Sequence, residues 1–215
     1  VQFPLGQYNP LSLSLSEDVM LILEGEDDER VWQQAARSSQ GKIRLFPVVA
    51  LDVAQQSQLE KVAAPLLESL YDTPIAYSLR DGDGITEDLS AVGPIKRFRL
   101  HCYAIENALL TDECLSVLNT NWTNFCSAAS KWLTENPTHR DCKQIQELIA
   151  APDRLRQTKI KDIRQLICSI AGKTKQWEVV IGQAIASLDI NDLKVSETSL
   201  ANFLGEATVR DLLSA

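Results

Sequence analysis

Four carboxylates in the first half of the chain have the types and spacing of a divalent-metal site. They are Glu24 and Asp28 in LILEGEDDE, and Asp81 and Asp83 in SLRDGDG. Asp28 lies four residues after Glu24, which puts both on one helix face if that turn is already helical. Asp81 and Asp83 are two apart. At a strand end this spacing puts both side chains on one side, and Gly82 and Gly84 let the backbone turn sharply around them. Hard oxygen donors at this density suit Mg²⁺ or Mn²⁺. Two such ions, about 3.5–4 Å apart, can activate a water and stabilise the leaving oxygen of a phosphodiester. No histidine base is needed, and the chain holds only His101 and His139. Taken alone, EGEDDE is equally a solvated helix start, and DGDG a surface turn or an incomplete calcium loop. Their order, each after an apolar run, argues for a shared site.

The elements that must position these groups follow from the apolar runs. VMLIL at 19–23 is continuous enough to be a strand buried on both faces of a parallel sheet. Gly25 and an acidic turn, EDDE, then open a helix, whose N-terminal dipole favours negative charge. The pattern repeats with a strand over 43–49, a helix over 55–71 with a kink at Pro65, a strand over 74–80 and a strand over 97–103. Alternating strands and helices predict an α/β domain with a central parallel sheet and right-handed crossovers. In such sheets the working site lies at the carboxyl ends of the strands, where both acidic motifs fall. Beyond about residue 107 the pattern is helical, with helices expected over 107–118, 121–135, 140–150, 158–171, 175–188 and 198–214. Residues 1–17 are read as a linker or the end of a preceding domain, 18–110 as the α/β core, and 111–215 as a helical region packed on it.

LILEGEDDERVW resembles the opening of a TOPRIM domain, and SLRDGDG resembles its D-x-D motif. YAIENALL resembles the Glu-Asn-(aromatic)-Leu-Leu segment of TOPRIM nucleases of the overcoming-lysogenization-defect type and of related prokaryotic defence proteins, with Ala108 in the aromatic position. The resemblance covers residues 19–110. It implies a TOPRIM-like fold and a metal-dependent nuclease in which Glu24 and Asp28 help hold one ion, Asp81 and Asp83 another, and Glu106 completes the cluster. It also implies a lysine that neutralises transition-state charge, for which Lys173 in AGKTKQW is the match. Family members carry an ATPase domain or work with a separate ATPase. No G-x-x-x-x-G-K-[ST] phosphate loop occurs here, so the implied ATPase of an anti-phage system lies outside this chain. The alternative is a non-catalytic regulatory or assembly module with the same fold.

Charge bears on the partner. The net charge of −8 opposes polyanion binding, but residues 140–175 hold nine basic against four acidic residues. Arg154, Arg156, Lys159 and Lys161 in that stretch are the expected nucleic-acid contacts. Five cysteines without a C-x-x-C pair read as reduced thiols of a cytoplasmic protein. His139 and Cys142 lack the further ligands a zinc site needs. No apolar run is long enough to span a membrane. DNA against RNA, and whether the chain forms a homo-oligomer, are left open.

Overall fold

The computed structural model describes residues 18–85 and 87–214; the linker expected over 1–17 lies outside them. Four parallel strands form one sheet in the order β2-β1-β3-β4. β1 (Val19–Leu23) pairs with β2 (Leu45–Val49) on one side and β3 (Ala76–Arg80) on the other, and β4 (Ile95–Arg99) pairs with β3. The all-apolar VMLIL suits the central position: Leu21, Ile22 and Leu23 are fully buried. Pro47 lies in β2, an edge strand, where a missing N–H is tolerated.

From β1 the chain moves outward to β2 and then returns past β1 to β3. Right-handed crossovers on such a path place the connecting helices on opposite sheet faces. α1 (Glu26–Ser38) and α2 (Val53–Leu70) occupy them. Under α1 lies the larger core, where Leu21, Trp32 and Leu79 join Leu109, Phe125, Ile181 and Phe203. Residues beyond 110 therefore share one core with the sheet. They fold as α3 (Asp112–Val117), α4 (Trp122–Glu135), α5 (Cys142–Ala150), α6 (Arg164–Ile170), α7 (Trp177–Ala186), α8 (Leu200–Leu204) and α9 (Glu206–Leu213). Under α2 the apolar cluster is smaller, built on Ile22, Ala64, Leu67 and Ile95. There a polar network adds to it. Glu60, 1 % exposed, accepts from the Ser78 hydroxyl at 2.6 Å and pairs with Arg80 at 3.5 Å and Arg97 at 3.2 Å. Gln56 donates to the carbonyls of Ile22 and Leu79, tying β1 to β3 near their carboxyl ends.

Several boundaries differ from the sequence reading, each for a tertiary reason. The strand expected over 97–103 is Ile95–Arg99. Past Arg99 the chain runs across Gly82 instead, close enough that a Cβ there would overlap the Cys102 carbonyl oxygen and stand 2.8 Å from that of Leu100. The connection from β3 to β4 contains no helix among its described residues. The helix expected over 107–118 is a 3₁₀ turn, Ile105–Leu110, followed by α3. The break comes at Thr111, whose hydroxyl donates to the Ala108 carbonyl and accepts from the Cys114 amide. Only Arg164–Ile170 of the segment 158–171 is helical. The final helix divides at Gly205, with φ of 95°. Among the described residues no helix is long and apolar enough to cross a membrane.

Candidate metal centre

The order β2-β1-β3 makes the carboxyl ends of β1 and β3 neighbours at the point where the chain reverses its progress across the sheet. A crevice opens at such a point. Leu23 pairs with Leu79, so Glu24, one residue on, stands beside Arg80, and Asp81 is the next residue of β3's chain. Gly25 is extended and α1 begins at Glu26, so Glu24 lies just outside the helix while Asp28 is in its first turn. Glu106 comes from the 3₁₀ turn after β4. Glu24, Asp28, Asp81 and Glu106 line one pocket of about 360 Å³, together with Asp27 and Lys161.

Burial and mutual repulsion shape its electrostatics. Burial first, then the charges of Glu106 and Glu24, push Asp28 up to about 7, against a hydrogen bond from the Gly25 backbone. Burial, followed by Asp28, Glu106, Glu24 and Asp83, pushes Asp81 up to about 9. Burial and then Asp83 raise Glu24, and Arg80 and Arg99 work against them. Asp81 Oδ1 is buried with no hydrogen-bond partner, at a typical cost of about 1–3 kcal/mol.

Two cations pair with carboxylates of the pocket. Lys161 Nζ lies 2.9 Å from Asp27 Oδ2 and 4.0 Å from Glu106 Oε1. Arg164 Nη1 lies 3.2 Å and 3.1 Å from the same two oxygens, with its guanidinium 4.8 Å over the Trp177 ring. Burial raises Asp27, but the Lys161 hydrogen bond and the Arg164 charge outweigh it and hold the carboxyl below its usual range. The hydrogen bond from Lys161 to Asp27 raises the lysine in turn. Asn107 holds this arrangement together: its Nδ2 donates to the carbonyls of Leu155 and Thr158, both at 2.8 Å, fixing the segment that leads to Lys161.

A divalent cation fits this donor set on two counts. The donors are hard carboxylate oxygens, and a buried carboxylate oxygen without a donor faces like charges that a cation would neutralise. Among the described residues, however, no group of three or more Asp, Glu, His or Cys side chains is drawn together closely enough to hold an ion.

Other expected residues are placed differently. Asp83 is exposed, with φ of 49°, and stands outside the pocket lining, although its charge reaches Glu24 and Asp81. Lys173 does not line the pocket; the lysine that does is Lys161. The four basic residues read as a nucleic-acid path are engaged in different places. Arg154 is buried, donating to the Leu110 carbonyl and Asp112 and covering Trp122. Arg156 donates to the carbonyls of His101 and Asn202. Lys159 is exposed, and Lys161 faces carboxylates. Asp27 and Arg164 were missed. Asp27 sits inside the EDDE run and Arg164 inside the basic stretch, but nothing local distinguishes them from their charged neighbours. No family model, curated protein or solved structure matches the chain.

Proposed function

We propose that this chain is a metal-dependent nuclease that hydrolyses phosphodiester bonds of DNA or RNA. The observation that carries the reading is that Glu24, Asp28, Asp81 and Glu106, each from a different element or strand end, line one pocket at the sheet's reversal point, with Asp81 Oδ1 buried and unpartnered. Glu24, Asp28, Asp81 and Glu106 would hold Mg²⁺ or Mn²⁺, and the charge of Asp83 reaches Glu24 and Asp81. The bound ions would activate water and stabilise the leaving oxygen. The chain's own contribution is to hold the donors rigidly at strand ends and to present positive charge where phosphate charge builds. Lys161 is the residue for the second task. It lines the pocket and reaches both Asp27 and Glu106, so it takes the role that the motif match gave to Lys173. The resemblance to TOPRIM nucleases adds an ATPase partner on another chain or domain.

A second reading has its own observation. Lys161 and Arg164 already satisfy Asp27 and Glu106, as expected of a non-catalytic module that keeps the fold. Cleavage of plasmid, single-stranded DNA and transfer RNA with Mg²⁺ or Mn²⁺ separates the two. Wild type should cleave at least one, and the double variant Asp81→Asn/Asp83→Asn none, with both proteins folded by thermal melting. Wild-type cleavage by the double variant would overturn the catalytic assignment. No cleavage by wild type, even with the ATPase supplied, would favour the module.

A further inference from the structure

A second cavity, of about 210 Å³, adjoins the acidic pocket. Arg99 joins the two: it lines the second cavity, and its Nη1 donates to the Asp81 carbonyl at 3.0 Å. Arg156 and Gln157 form one side and are fixed there, Arg156 Nε at 2.9 Å and Gln157 Nε2 at 2.6 Å from the His101 carbonyl. Glu87 and Asp88 contribute carboxylates, Ile85 and Leu100 apolar surface, and His101 an exposed ring. Arg99 Nε is buried without a partner.

The mixture of charges narrows the ligand. Two carboxylates oppose a phosphate, and two guanidinium groups oppose a metal ion. What suits both is a neutral, flat group with donors on one edge and acceptors on another, and apolar faces. The volume is on the scale of a single nucleobase, and the usual readers of base edges are side chains of these kinds. Guanine presents two donors, N1–H and the N2 amino group, for the carboxylates, and two acceptors, O6 and N7, for an arginine. Ile85 and the His101 ring offer surfaces for its faces, as single-stranded bases require. We infer that this cavity recognises a guanine in a nucleic-acid strand whose backbone crosses the acidic pocket. The inference rests on the nuclease reading and adds to it a base preference next to the cleavage point.

The test is equilibrium binding by fluorescence anisotropy in Ca²⁺, which neutralises the carboxylates. The probes are oligo(dT) of twelve residues, the same strand with one central dG, and the same strand with one central dA. The dG strand should bind about ten-fold tighter than the other two. In Glu87→Gln/Asp88→Asn, checked for folding by melting, the ratio should fall to about one whatever the absolute affinity. Equal binding of the three strands to wild type, or a ratio that survives in the variant, would overturn the inference. Tighter binding of all strands by the variant at a ratio that was always one would mark the cavity as a phosphate site, and would also overturn it. If oligo(dT) binds without a guanine preference, the nuclease reading stands alone. If no strand binds, the guanine inference falls, and the nuclease reading is decided separately by cleavage of plasmid and transfer RNA.

Discussion

Replacing Asp81 by Asn should stabilise the metal-free protein, and the gain should grow with pH. Burial and the neighbouring carboxylates raise Asp81 from 3.8 in the unfolded chain to about 9. Between those values the folded state binds more protons than the unfolded state, so wild-type stability falls as pH rises through that window. At pH 7 the gap above 3.8 is about three units, which at 1.36 kcal/mol per unit sets a ceiling of about 4 kcal/mol. Asp28 shares the same repulsion, so one substitution should recover roughly half, or about 2 kcal/mol. Asn at this position loses no hydrogen bond at Oδ1, because Asp81 makes none there. For a chain of this size 2 kcal/mol is worth about 4–8 °C in Tm. Melting in EDTA from pH 5.5 to 8.5 should show the two proteins converging at the acid end and diverging at the alkaline end. Mn²⁺ should raise the Tm of wild type and not of the variant. A variant that melts at or below wild type at pH 8.5, with a parallel pH profile, would show that Asp81 is a structural residue and refute the electrostatic account of the pocket.

The remaining predictions concern how the pocket is held. Gly82→Ala should cost at least roughly 1–3 kcal/mol by overpacking, because the Cys102 carbonyl, with that of Leu100 beside it, leaves no room for a Cβ; chemical denaturation checks it, and an unchanged midpoint would refute the close approach. Glu60→Ala removes the partner of Arg80 and Arg97 beneath α2 and should cost about 3–5 kcal/mol, read by the same assay. Arg154→Met should lower stability by a few kcal/mol through the Leu110 and Asp112 contacts. It should leave the salt slope of nucleic-acid binding unchanged, whereas loss of a true phosphate contact would lower that slope by about 0.7–0.9.

Local pattern alone determined the elements nearest the chemistry. VMLIL was legible as a buried strand to its last residue, because a strand covered on both faces needs apolar residues at every position. The acidic turn after Gly25 was legible as a helix start, and the D-x-D motif as a strand end, because charge, dipole and glycine act over a few residues. Longer-range relations were not legible. The order β2-β1-β3-β4, which makes Glu24 and Asp81 neighbours, depends on which crossovers pack on which face. The shift of β4 depends on the approach of residues 100–102 to Gly82. The partners of the basic stretch were least legible, because counting charge does not say which carbonyl, ring or carboxylate each cation will meet. Arg154 turns inward at a left-handed backbone position, with φ of 54°, to serve Leu110 and Asp112. Lys161 and Arg164 are carried by Asn107's hold on the 155–158 segment to carboxylates in the other half of the chain. Hydrogen bonds and ion pairs of that separation are chosen by the packed core, and only the tertiary structure decides them.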